Sequence, residues 1–302
     1  MTTMDHQIAV DRVIARIRRV YAGWNRRTPI EQMRADWDAL FPLDAAPATV
    51  SRADAGGVDA RWIDAPGVRA DRALVYFHGG GFRIGSTTSH QDLMARIGAA
   101  ASCRVLGVNY RLVPEHYFPA PVEDACAVYG WLGERGFSPR QLAFGGDSAG
   151  GGLVASSMLA LRERGLSLPA AGVMLSALTD FEARGPSYET RAAADPIHQR
   201  PTIQGLARMY LGDADPRDPL ASPLYGDLTG LPPLLLQVGD CETGLDDSRQ
   251  FAHVARAAGV AVRLSVWDGM IHVFQQFPDE LPQAREAIAE IGAFLDSTWS
   301  TP

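Results

Sequence analysis

A chain of 302 residues with 46% apolar content can bury a large core, and a formal charge of −7 without long basic runs argues against nucleic acid or an anionic membrane surface as a partner. The cysteines Cys103, Cys126 and Cys241 are odd in number and lack metal-ligand spacing, so they read as reduced structural thiols, with no metal site and no disulfide scaffold. Acidic and arginine side chains from Asp5 to Arg19 exclude a signal-peptide core, and no later apolar run is long enough to span a bilayer, which places the chain in the cytoplasm.

From Ile8 to Trp24 the positions Val10, Val13, Ile14, Ile17, Val20, Tyr21 and Trp24 recur at helical spacing opposite an arginine-rich face. Thr28-Pro29-Ile30-Glu31 has the form of a capping box with proline at the first helical position, and opens a second helix with Met33, Trp37, Leu40 and Phe41 on one side. Two readings of these helices stay open: a lid, or ordinary packing helices at the core or at a subunit contact. Between Thr49 and Asp64, two alternating segments around Ala55-Gly56-Gly57 predict an antiparallel hairpin. Six short strand-like runs follow, at 73–77, 105–108, 142–144, 173–175, 234–238 and 262–266, separated mostly by helical segments. That alternation predicts a mostly parallel sheet with helices on both faces and its active loops at the carboxyl ends of the strands. The stretch from Phe181 to Pro233 breaks the alternation and is rich in proline and aspartate. Its single helix-like piece lies near Ile203 to Leu211, and a segment this long is read as a functional insertion.

Chemistry concentrates in the loops after these runs. Gly146-Asp147-Ser148-Ala149-Gly150 falls where strand turns into helix, the place of a nucleophile elbow that lifts a serine hydroxyl above the sheet. His78-Gly79-Gly80-Gly81-Phe82 follows an earlier strand, and its glycine amides together with that of Ala149 can form an oxyanion hole. His78 itself reads as a local hydrogen-bonding residue. Of the seven histidines, only His272 lies in the loop after the last strand, where a general base belongs. For the acid that orients it, the loop after Val238 offers Asp240, Glu242, Asp246 and Asp247.

With Tyr110-Arg111-Leu112-Val113-Pro114-Glu115-His116 and Phe118-Pro119-Ala120-Pro121-Val122-Glu123-Asp124-Ala125 added, the set resembles the hormone-sensitive-lipase-like branch of α/β-hydrolases, the bacterial family IV carboxylesterases. The likeness runs from about Ala73 to Phe274 and departs at Val113, Tyr117 and Pro121, none of which is expected to carry chemistry. It implies an α/β-hydrolase fold: an eight-stranded, mostly parallel sheet with a helical cap, forming one domain over 1–302. The cap would come from 1–45 and 181–230, over a core of 46–180 and 231–302. It also implies that Glu242 is the acid in preference to Asp240, because in the family an acid is followed four residues later by an Asp and then another acid, as Asp246 and Asp247 follow Glu242. Asp246 and Asp247 are then left to cap the following helix.

The expected activity is serine-dependent hydrolysis of short- to medium-chain carboxylic esters through an acyl-enzyme. Ser148 is the nucleophile, His272 the base and Glu242 the orienting acid; Gly79, Gly80, Gly81 and Ala149 form the oxyanion hole. Phe82, Met209, Tyr210 and Ile271 are candidates for the acyl pocket, each equally at home in the core. No cofactor or metal is called for. A lactone substrate would use the same residues, and a non-catalytic small-molecule receptor is the reading from another class. Subunit number stays open; the family resemblance offers a homodimer paired through a sheet edge as one arrangement.

Overall fold

The computed structural model describes residues 3–41, 43, 46–195 and 197–300; the other residues of the expected 1–45 and 181–230 segments (1, 2, 42, 44, 45 and 196) lie outside that description. The strands are β1 Thr49–Asp54, β2 Asp59–Asp64, β3 Arg69–Phe77, β4 Cys103–Val108, β5 Leu142–Asp147, β6 Ala171–Leu175, β7 Leu234–Gly239 and β8 Val262–Trp267. They form one sheet of eight strands in the order β1-β2-β4-β3-β5-β6-β7-β8. The β1–β2 and β2–β4 pairs are antiparallel and all others parallel, as the hairpin and the alternating runs predict.

Helices follow in chain order: α1 Thr3–Ala22, α2 Ile30–Asp38, α3 Gln91–Ala101, α4 Ala120–Glu134, α5 Ala149–Glu163, α6 Ser187–Thr190, α7 Arg200–Leu211, α8 Leu245–Ala257 and α9 Pro282–Trp299. Successive strand residues point to opposite faces. Val75 and Phe77 therefore pack with α4, α5 and α8 residues such as Val128, Leu153 and Phe251, while Leu74 and Tyr76 pack with α3 and α9 through Met94 and Ile291. A third cluster joins Val10, Val13 and Ile17 of α1 to Met270, Ile271, Phe274 and Phe277, on the loop after β8. The apolar stripe of the first helix thus covers the segment that carries His272, and burying each of those three side chains is worth about 1.5–3 kcal/mol.

The local signals at the N-terminus resolve differently from the sequence reading. Helix α1 ends at Ala22 and leaves Trp24 beyond it. The capping box does not form: Pro29 is the N-cap of α2, and the Thr28 hydroxyl instead accepts the Asn25 N–H at 3.0 Å. That helix stops at Asp38, so Phe41 reaches the apolar cluster from outside it. Asp246 and Asp247 also provide no side-chain cap, since Gly244 occupies the N-cap of α8. Asp246 instead accepts the Ser187 N–H at 2.8 Å, and Asp247 accepts the Tyr188 hydroxyl at 3.2 Å. Both still sit in the first turn, where the helix dipole favours negative charge. Burial, with Asp180 nearby, nevertheless pushes the Asp247 carboxyl well above its ordinary range. Among the described residues no helix is long and apolar enough to cross a membrane.

Candidate active site

The sheet register aligns the carboxyl ends that carry the candidate residues. Phe77 pairs with Gly146, Asp147 with Leu175 and Gly239 with Trp267, so the loops after β3, β5, β6, β7 and β8 all emerge on one rim. Ser148 has φ 53° and ψ −120°, the strained turn of a nucleophile elbow. Its neighbours hold it there. The Ser148 N–H donates to Leu175 O at 2.8 Å, and the Leu178 N–H donates to Ser148 O at 3.0 Å. The flanking glycines are required by close approach: a Cβ on Gly146 would lie 2.4 Å from Gly150 O, and one on Gly150 would lie 2.0 Å from Phe77 O.

On the loop after β8, His272 presents Nδ1 to Glu242 Oε2 at 2.8 Å. The other carboxylate oxygen of Glu242 accepts the Gly239 N–H at 2.6 Å and the Ser176 hydroxyl at 2.8 Å, and Ser176 Oγ in turn accepts the Val273 N–H at 3.1 Å. Glu242 is only 1% exposed, so its charge is compensated by hydrogen bonds rather than by water. A carboxylate partner assigns the neutral imidazole proton to Nδ1 and leaves the Nε2 lone pair free. His272 Nε2 is buried and makes no hydrogen bond among the described residues. Burial opposes the imidazolium, but the charge and hydrogen bond of Glu242 prevail and hold the His272 pKa above its ordinary value. His272 and Ser148 line the same cavity, of about 580 Å³, a size suited to small molecules. A serine at a strained elbow and an unpartnered, carboxylate-oriented imidazole lining one cavity are the groups that nucleophilic attack on an acyl carbon needs.

Asp240 is engaged elsewhere, accepting the Gly269 N–H at 2.7 Å, which leaves Glu242 as the carboxylate on His272. In the glycine loop, the Gly79 amide is not free: it donates to Asp147 Oδ1 at 3.0 Å. A hydrogen bond turned inward cannot also face a reacting oxygen, which removes Gly79 from the expected oxyanion donors. The amides of Gly80, Gly81 and Ala149 have no protein acceptor among the described residues. Asp147 also accepts the Tyr76 hydroxyl at 2.9 Å and contacts His90 Nε2 at 3.2 Å. Burial raises its pKa, but His90 and these hydrogen bonds outweigh that and keep the carboxyl below the ordinary range. His78 packs flat on Tyr110 at 4.4 Å, and burial pushes its pKa down to about 3, in keeping with a local hydrogen-bonding role.

Of the four expected pocket residues, Met209 lines the cavity, whereas Phe82, Tyr210 and Ile271 belong to the core. Phe82 stacks on Tyr210 of α7 at 4.0 Å, and Ile271 packs in the cluster with α1. Sequence reasoning passed over Ser176, which no motif marks, and the structural use of Asp147, although it stands inside the elbow motif. It also passed over His198, whose ring lies 3.9 Å from that of His272.

Fold and site together define a hydrolase with a serine elbow, and the comparisons agree. The family model for the alpha/beta hydrolase fold matches residues 74–276. An acetyl-hydrolase from Streptomyces hygroscopicus is 41% identical over 278 residues, covering 90% of this chain and 92% of its own length. An ethyl acetate hydrolase from Pseudomonas putida is 33% identical over 74% of this chain and 72% of its own. The crystal structure of an esterase from the bacterial hormone-sensitive lipase family superposes with a TM-score of 0.92 at 48% identity, covering 97% of this chain and 98% of that one. The chain belongs to the α/β-hydrolase family, in its bacterial hormone-sensitive-lipase branch.

Proposed function

We propose that this chain hydrolyses carboxylic esters of short to medium chain length through an acyl-enzyme on Ser148. The observation that carries the reading is the His272 ring, anchored by Glu242 at Nδ1 and unpartnered at Nε2, in the same cavity as a strained Ser148. His272 takes the Ser148 proton as Oγ attacks the ester carbonyl, and Glu242 fixes the tautomer and stabilises the resulting cation. The amides of Gly80, Gly81 and Ala149 receive the oxyanion, each donor being worth about 3 kcal/mol in such sites. His272 then protonates the departing alcohol, and a water activated by the same ring releases the acid.

Helices α1 and α2 and the 181–230 segment serve as the cap. Tyr21, Met33 and Trp37 line the cavity from one piece, and Ile203, Leu206 and Met209 from the other. The names of the relatives support small acyl groups: an acetyl-hydrolase, an ethyl acetate hydrolase and EstE5, which is 38% identical and whose crystals were soaked with p-nitrophenyl butyrate. Ser148→Ala is expected to abolish turnover of p-nitrophenyl butyrate and labelling by a fluorophosphonate. Turnover or labelling that survives the substitution refutes the assignment.

A further inference from the structure

His198 belongs to the segment between α6 and α7 and is absent from the mechanism above, yet its ring centroid lies 3.9 Å from that of His272, with the ring planes inclined at 55°. We propose that His198 is a positioning residue for His272, a second ring that keeps the base directed at Ser148 while it takes up and returns a proton. The inference rests on the triad reading and adds to it a side chain from the capping segment.

The contact is built into the backbone. Asp195, only 4% exposed, accepts the Ile197 N–H at 2.9 Å and the His198 N–H at 2.8 Å through Oδ1. Its Oδ2 accepts the Thr243 N–H at 2.8 Å and lies 3.2 Å from the Thr243 hydroxyl. Thr243 directly follows Glu242, so one buried carboxylate ties the segment bearing His198 to the loop bearing the acid. The backbone of His198 cannot move away from His272 without breaking this clamp. Both rings line the cavity, and His198 Nδ1 is buried without a hydrogen-bond partner, so no polar contact competes with the ring contact from that side.

The chemistry asks for such a restraint. His272 is anchored at one nitrogen only, and during each turnover it becomes an imidazolium that must deliver its proton to the leaving alcohol rather than swing into the cavity. A ring packed against it blocks the swing and offers a π surface to the transient cation. The neighbouring ring must itself stay neutral, because two adjacent imidazolium ions repel. The charged and titratable groups that act on it are His272, with Glu242 behind it, and Asp195 on its own segment. Burial first, and His272 second, push the His198 pKa down to about 3 and keep it neutral.

The test compares His198→Ala, His198→Leu and His198→Phe with the wild-type chain on p-nitrophenyl butyrate. Misplacement of a reacting group by about 1 Å costs on the order of 100-fold, so Ala and Leu should each lower kcat by about 10- to 100-fold while KM changes less than about threefold. Phe should recover most of the loss, because it restores the ring. The proton NMR signal of the Nδ1–H between His272 and Glu242 should broaden in the Leu variant and sharpen again in Phe, which a merely space-filling role would not produce. A Leu variant with wild-type kcat overturns the proposal even if the Ala variant fails to fold, and so does a Phe variant as slow as Leu. Ser148→Ala measured alongside keeps the two readings apart. Survival of its activity overturns the triad, whereas a dead Ser148→Ala beside an unimpaired His198→Leu overturns only the role of His198.

Discussion

Replacing Glu242 with glutamine tests the orientation of the base by changing one atom. Glu242 Oε1 receives the Gly239 N–H at 2.6 Å and the Ser176 hydroxyl at 2.8 Å, while Oε2 faces His272 Nδ1 at 2.8 Å. In the same pose, a glutamine must keep its carbonyl oxygen toward Gly239, because an NH2 group there would set donor against donor. Its NH2 then faces Nδ1, which has to offer a lone pair, so the imidazole proton moves to Nε2. The Nε2 lone pair that would take the Ser148 proton is then gone, even though no heavy atom has moved. Enforcing the wrong tautomer in a site of this constellation lowers kcat by about 10⁴, and at about 1.36 kcal/mol per tenfold this is about 5.4 kcal/mol of transition-state stabilisation. The assay is kcat and KM on p-nitrophenyl butyrate, with the thermal midpoint showing that the isosteric variant is folded. A fall in kcat of less than about tenfold, or a change confined to KM, would show that the tautomer is not fixed in this way.

The pH profile provides an independent check. Glu242 raises the His272 pKa above its ordinary 6.5 against the opposing effect of burial, so the neutral base exists only above that raised value. The acid limb of kcat/KM is expected above 6.5, and a limb at or below it contradicts the arrangement. By linkage, the same pair contributes stability that is fully present below 6.5 and is lost as pH rises through the raised pKa, which can be followed in the thermal midpoint against pH. Gly150→Ala probes the elbow: the added Cβ would lie 2.0 Å from Phe77 O and 2.5 Å from His78 O, both backbone atoms. A destabilisation of about 3 kcal/mol is expected from such overpacking, and a wild-type denaturation curve would mean that α5 and β3 do not pass as closely as described.

How much was legible in the sequence depends on the range of the signal. Strand runs such as 73–77 and 234–238 are apolar on both faces because each is covered by helices on both sides, so composition alone exposed them. The elbow was equally readable, since Ser148 and its glycines are contiguous and the geometry admits no Cβ at Gly146 or Gly150. The capping box at Thr28 misled because hydroxyls accept whichever N–H is nearest, and Asn25 offered one.

The pocket residues divide the same way. Phe82, Met209, Tyr210 and Ile271 look alike in the sequence, and only the packing of α1 and α7 decided that Met209 faces the cavity while the other three do not. Gly79 was grouped with its neighbours until Asp147 claimed its amide across 68 residues of chain.

By itself the sequence determined the order of strands and helices and which loops carry a hydroxyl, an imidazole and a carboxylate, because those follow from periodicity and adjacent residues. The tertiary structure decided which carboxylate meets His272, which amides stay free and that His198 rests against the base. Each of these is a contact between segments distant in the chain, fixed by sheet register and by competition for buried hydrogen bonds rather than by any local pattern.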